Sequence, residues 1–319
     1  MSEPRKYEVG ASEAGERLDK FLVQHVPELG RRGARWLIER AFVLVGGRPA
    51  PKSRRLRPGE IVLVLAEFNG APEAEAEALL DVRLVRSDLV VVDKPAGQAS
   101  APLAADERGT LAGALLGHYP EMAGIGYRSR EPGLLHRLDT RTSGLVIAAR
   151  QPEAFERLRV ALVEHRLDKR YLAIVDAPGL PESGVIDRAL MPRGGGSGRV
   201  VVAPDVRDDG AQPCQSSFRT LERRGRWALL EVVAPRAYRH QVRVHLASCG
   251  WPIAGDQEYG GAVANALEHR HALHASHVAW AGDDRVPAFA VDSVLPEDLA
   301  AFFRDGEAAS GSRIVTSSS

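Results

Sequence analysis

Cysteine is scarce in this 319-residue chain, where only Cys214 and Cys249 occur. Two thiols allow at most one disulfide, and they lack the spacing of a metal site, so neither a disulfide framework nor a zinc module can hold the fold. They read as reduced, partly buried thiols. Long apolar runs are missing too: nothing approaches the roughly twenty residues that a membrane span needs. The opening residues, Met1-Ser-Glu-Pro-Arg-Lys-Tyr7, carry no apolar core of a signal peptide, so the expected location is the cytoplasm. Net charge is also absent, with 42 basic residues against 42 acidic ones, which argues against a uniformly basic nucleic-acid binder. What is left is an ordinary globular composition, 44% hydrophobic and 26% charged.

The zero balance conceals an asymmetry. Residues 31–58 hold Arg31, Arg32, Arg35, Arg40, Arg48, Lys52, Arg54, Arg55 and Arg57 against Glu39 alone, a net +8. Six acids follow between Glu60 and Asp81. A cluster this one-sided suits a polyanion at least as well as it suits a plain solvated surface.

Apolar spacing predicts a first module over 7–66. Leu18, Phe21 and Leu22 fall on one helix face, residues 33–40 suit a second helix, and Val43-Leu-Val45 with Gly46-Gly47 reads as strand and tight turn. Residues 67–81, rich in Ala and Glu, read as a linker. A second module is expected over 82–304 and a disordered tail over 305–319. Within the second module, strands follow one another directly, at 170–175, 184–190, 200–202, 216–221, 227–233 and 273–280. Helices are expected at 110–119, 152–165, 239–248 and 296–303. The implied class is α+β, a mixed and mostly antiparallel sheet with flanking helices, beside a small N-terminal α/β domain.

Three segments carry chemistry. His136-Arg137-Leu138-Asp139-Thr140-Arg141-Thr142-Ser143-Gly144-Leu145 sets one acid among arginines and hydroxyls just before an apolar run. Such an acid, held rigidly in a cleft, can be a nucleophile or a base; taken alone, the segment reads first as a capped turn, and its company along the chain changes that. In Lys169-Arg-Tyr171-Leu-Ala173, alternation puts Lys169 and Tyr171 on one strand face. In Arg239-His240-Gln-Val-Arg243-Val-His245-Leu246, helical spacing puts Arg239 and Arg243 on one face, where Arg243 can pair with a carboxylate and keep it ionised. His269, His271, His274 and His277 invite a zinc reading, but an offset of three on a strand turns His274 and His277 to opposite faces. Gly194–Gly198 lacks the Lys-Ser/Thr of a phosphate loop.

Taken in order, these segments resemble the RluA-type pseudouridine synthases, the family of ribosomal-large-subunit enzymes. The resemblance covers nearly all of the chain beyond the linker. It rests on Val91-Val-Asp-Lys94-Pro-Ala-Gly97, Gly133 to Leu145, Lys169-Arg-Tyr171-Leu-Ala173, His240 to Leu246, and Gly250 to Gly260 with Gly255-Asp256. Leu273-His-Ala275 and Leu295-Pro-Glu-Asp298 are similar to the family's end. The first module resembles the S4-like RNA-binding domain, with Ala41 and Gly46 where that pattern often has Gly and Asn. The resemblance implies isomerisation of uridine to pseudouridine in structured RNA, ribosomal or transfer, on a base flipped out of its stack. It implies Asp139 as the essential carboxylate, Tyr171 as the aromatic stacked on the base and Arg243 as the partner of Asp139. RNA would be bound by Arg137, Arg141, Arg239 and His240, and by Arg31, Arg32, Arg35, Arg54, Arg55 and Arg57 of the first module. No metal, organic cofactor, membrane or protein partner is implied, and a monomer is expected. Tyr238 stands where the family has its first arginine of "G-R-x-H-Q-[IL]-R", and Arg239 follows one place later. The rival reading is a non-catalytic RNA-binding or ribosome-assembly factor on the same fold.

Overall fold

In a computed structural model the chain is described at residues 4–26, 29–65, 71–102, 107–193, 198–208, 210–235, 238–262, 267 and 270–305. The expected tail beyond Asp305, residues Gly194–Ser197 and His269 lie outside these residues. Packing divides the chain into two units, Met1–Leu79 with Ala101–Gly133, and Leu80–Ser100 with Leu134–Ser319.

The first unit is built by the helical spacing noted above. Helix α1 (Leu18–His25) buries Leu18, Phe21 and Leu22, and α2 (Arg31–Glu39) adds Ala34, Leu37 and Ile38. Both feed one apolar core with an antiparallel sheet of β1 (Arg5–Glu8), β2 (Val43–Val45), β3 (Arg48–Pro49) and β4 (Ile61–Val64), ordered β1-β4-β2-β3. Gly46 and Gly47 join β2 to β3 with φ of 58° and 77°, the paired left-handed conformation that a two-residue hairpin turn needs. Ala41 is left-handed as well, at φ 57°, a conformation that costs a residue with a Cβ about 1 kcal/mol. Part of the stretch read as a linker is tied down by α3 (Leu111–His118). Glu75 N–H donates to Gly113 O at 3.0 Å, the Glu75 carboxylate accepts from Gly109 N–H, and His118 Nε2 donates to Ala78 O at 2.8 Å.

The second unit is a nine-stranded sheet. Its path runs β5 (Val82–Val85), β6 (Leu89–Lys94), β7 (Ser143–Ala149), β14 (Leu273–Trp280), β8 (Leu167–Asp176), β13 (Trp227–Val233), β12 (Gln215–Arg224) and β9 (Ser183–Asp187), with β15 (Phe289–Asp292) also on β14. A separate hairpin joins β10 (Leu190–Pro192) to β11 (Val200–Val202). Among the described residues three α-helices accompany it: α4 (Pro152–Val163), α5 (Gln241–Ser248) and α6 (Glu297–Asp305). Among the described residues every ladder is antiparallel except β7 with β14, which is the mixed, mostly antiparallel α+β arrangement expected from the order of strands. The apolar runs Leu89–Val92 and Leu145–Ala149 are wholly buried, which is why neither alternates.

Strand β14 forks. Its first half lies parallel to β7 at His274 and Ala275, and its second half pairs with β15 from His277 to Trp280. The parallel contact depends on Gly144. Its φ is 119°, and a Cβ there would sit 2.3 Å from Ala275 O. Only glycine lets the chain enter β7 this close to β14.

Candidate active site

Asp139 sits in the loop that leads into β7, and its backbone neighbours are fastened on both sides. Ser100 Oγ donates to Leu138 O at 2.7 Å, and Gly97 N–H donates to Thr140 O at 2.7 Å. Lys94 Nζ, with no exposure to solvent, donates to Pro95 O and Gln98 O at 2.8 Å each. Burial pulls the Lys94 ammonium down to about 7. Thr142 N–H donates to Asp139 O at 3.0 Å, closing the turn, and the Thr142 hydroxyl lies 2.7 Å from His271 Nε2. The carboxylate itself stays 26% exposed, at the wall of a cleft shared with Arg137, Leu138, Tyr171, His240 and Arg243.

Arg243, on the first turn of α5, is 6% exposed and is held by three acids. Its Nη1 donates to Asp139 Oδ2 at 2.8 Å, Nε and Nη2 fork onto Asp256 at 2.7 and 2.9 Å, and Nη2 reaches Glu258 Oε2 at 2.9 Å. Charge-assisted, bidentate geometry of this kind fixes both direction and register. Burial pushes the Asp139 carboxyl up, but the His240 ring and the Arg243 guanidinium outweigh burial and hold it below the ordinary carboxylate value. Tyr171, in the middle of β8 between Ala275 and Val232, is 7% exposed. Burial, and then the charge of Asp139, push its phenol up, so it stays protonated.

The expected helix over 239–248 is corrected at its start. His240 adopts φ 56° and ψ 14° and caps α5 from outside, so Arg239 is not one turn ahead of Arg243 on a shared face. Its guanidinium lies beside Gly198, at the foot of β11. Tyr238 packs into an apolar cluster with Leu190, Val200 and Val244. Both residues of the altered pair therefore meet the β10–β11 hairpin.

Arg137 and Arg141 are exposed at the Asp139 loop, and Arg141, Arg239 and His240 flank a second opening onto Arg243, which Asp256 and Glu258 also line. Arg31, Arg35, Arg54, Arg55 and Arg57 are exposed on the first unit, whereas the Arg32 side chain lies outside the described residues. Arg35 pairs with Glu39 at 2.5 Å, Arg54 with Glu60 at 2.7 Å, and Arg55 donates to Gly15 O at 2.8 Å. Among the zinc decoys, His274 is buried between Ser143 and Ser293, while His277 faces Asp292. Sequence reasoning missed Asp256 and Glu258 as site residues. One signal was available: a buried guanidinium has five donors, more than one carboxylate can take up. On the buried face of β8, Lys169 Nζ finds no hydrogen-bond partner among the described residues, and burial brings it to about 7.

The family model for RNA pseudouridylate synthase matches residues 88–248, half of the chain, and the match spans Asp139, Tyr171 and Arg243. The chain belongs to this family. An uncharacterized RNA pseudouridine synthase of Chloroflexus aurantiacus is 37% identical to it, over 87% of this chain and 85% of that protein. The ribosomal large subunit pseudouridine synthase D of Nitrosomonas europaea is 31% identical, over 91% of this chain and 84% of that protein. Among solved structures, human RNA pseudouridylate synthase domain containing 4 shares the fold at a TM-score of 0.55 and 21% identity, over 70% of this chain and 93% of that one. This pseudouridine synthase is therefore an enzyme that isomerises uridine in RNA, and a non-catalytic assembly factor is not favoured. Among the described residues no helix is long and apolar enough to cross a membrane, and no three acids, histidines or cysteines are placed to hold a metal.

Proposed function

We propose that Asp139, Tyr171 and Arg243 carry the isomerisation, and the observation that carries this reading is the 2.8 Å Arg243–Asp139 ion pair in the cleft that Tyr171 lines. The reaction breaks the N1–C1′ bond and makes a C5–C1′ bond. One proton leaves C5 and one arrives at N1, so nothing is consumed. An ionised Asp139 is ready either to attack C1′ or to take a ribose proton, and Arg243 keeps it ionised. The buried Tyr171 ring is assigned to stack on the flipped uracil and to assist removal of the C5 proton. Arg137, Arg141 and Arg239 grip the strand around the flipped nucleotide, while His240, expected among them, is 8% exposed with its ring turned to Tyr259 and Asp139.

The first module, residues 7–66, serves as an S4-like RNA-binding domain through Arg31, Arg32, Arg35, Arg54, Arg55 and Arg57, and residues 82–304 form the catalytic module. Relatives named for the large ribosomal subunit favour ribosomal over transfer RNA as substrate. The enzyme acts as a cytoplasmic monomer. To test the site, total RNA from the native host lacking this gene is incubated with wild type and with Asp139→Ala, and pseudouridine is mapped. Wild type is expected to modify discrete positions and the variant none. Equal product from the two would remove Asp139 from the chemistry.

A further inference from the structure

Tyr259 has no role in the reaction as described, yet it touches nearly everything around Arg243. Two guanidiniums lie over its ring, with Arg243 Cζ 4.9 Å and Arg199 Cζ 5.1 Å from the centroid. Its hydroxyl accepts from Val200 N–H of β11 at 3.1 Å and lies 2.8 Å from His240 Nδ1. The other nitrogen of that ring, Nε2, faces Asp139 Oδ1 at 3.6 Å. A phenol has one proton to give, and the Val200 N–H already fills one of its lone pairs. The O–H can donate to His240 Nδ1, and that arrangement leaves the imidazole proton on Nε2, toward the carboxylate. Nε2 also meets Arg239 Nε at 3.4 Å and Nδ1 faces Glu258 Oε2 at 3.8 Å, so the Tyr259 hydroxyl, at 2.8 Å, is the nearest of the ring's polar partners.

We propose that Tyr259 is a positioning residue for uridine isomerisation. It ties the β10–β11 hairpin to the Arg243–Asp139 pair and fixes the His240 tautomer that presents an N–H to Asp139. The left-handed backbone of His240, unusual for a residue with a side chain, brings its ring into this line. Tyr238 and Val244 share the apolar cluster of the hairpin with Tyr259, and the Arg239 guanidinium lies against Gly198. Hairpin and ion pair thus meet through one aromatic ring, and a hairpin shifted by its RNA moves the acid's surroundings with it. The inference rests on the reading of Asp139 and Arg243 as the working pair.

The test is Tyr259→Phe, which keeps the ring and removes both hydroxyl bonds. Loss of one oriented hydrogen bond predicts a fall in kcat of about tenfold, with KM for RNA within about twofold. Nitrogen NMR of the full-length enzyme labelled in histidine reads the tautomer directly: His240 is expected as the Nε2–H form in wild type and as a mixture in the variant. Val200→Pro deletes the N–H donor from the other side. That N–H points away from β10, so proline leaves the β10–β11 ladder intact. It should lower kcat in the same direction with the tautomer again mixed. An unchanged tautomer in both variants, or an unchanged kcat in both, overturns the role of Tyr259. Asp139→Asn serves as the separate arm: full activity there sinks the reading of the working pair, while the tautomer measurement still judges Tyr259.

Discussion

Arg243 is a single cation answered by Asp139, Asp256 and Glu258. Such an arrangement is stable only while the guanidinium stays, because removing it leaves three carboxylates close together, one of them, Asp256, fully buried. Arg243→Gln is expected to lower stability by about 3–5 kcal/mol, measured by urea unfolding. It should also move the acid limb of the rate–pH profile. In the native enzyme Asp139 titrates below the ordinary carboxylate value, so the stability from its pairing is full above that value and disappears as pH falls through the depressed one. Without Arg243 the carboxyl titrates higher, and activity fades at a higher pH than in wild type. Arg243→Lys keeps the charge but loses the fork, and should fall between the two. An acid limb that stays in place in Arg243→Gln would show that some other group ionises Asp139.

At the scale of elements, the contact of β7 with β14 sets where Asp139 stands. Gly144→Ala puts a methyl into the Ala275 backbone at a φ of 119°. The expected cost is about 2–4 kcal/mol, with a loss of activity that outlasts cooling to a temperature where the variant is fully folded. A melting temperature equal to wild type would mean that the parallel contact bears no strain. Elements of this kind were partly legible in the chain. The strands at 227–233 and 273–280 coincide with β13 and β14; β13 alternates and follows Gly225, and β14 is an apolar-rich run that ends before Gly282. The start of α5 was not legible, since periodicity cannot see a single left-handed residue such as His240. Residues 71–79 look like a linker by composition because the partners of Glu75 lie more than thirty positions away, at Gly109 and Gly113. Asp139, Tyr171 and Arg243 could be picked out because each sits in a patterned segment. Asp256 and Glu258 sit in an irregular turn, where only a count of Arg243's donors points to them.

Over the whole molecule, neutrality is a sum of opposed regions. The net +8 of residues 31–58 already subtracts Glu39, and Glu60, just outside the segment, engages Arg54, so +8 is an upper limit on the charge this face offers a polyanion. Replacing Arg54, Arg55 and Arg57 together with glutamine should weaken binding to structured RNA and flatten its salt dependence. The log–log slope is expected to fall by at most about 3, and by less if Arg54 stays with its acid. Filter binding between 50 and 200 mM salt reads this, those limits being about the range over which phosphate contacts dominate. An unchanged slope takes this segment out of the RNA interface.

The three carboxylates on Arg243 have one more consequence. With one guanidinium among them, and with burial drawing the His240 ring toward its neutral form, the carboxylates around Arg243 exceed its charge by two, Asp256 buried and Glu258 part-exposed at the second opening. Arg137, Arg141 and Arg239 stand nearer the solvent. The potential therefore changes sign along the way in. Uracil is uncharged and crosses that reversal freely; a phosphate is attracted at the mouth and repelled below it. The cleft acts as an electrostatic sieve, admitting a base while the backbone that carries it is kept at the threshold.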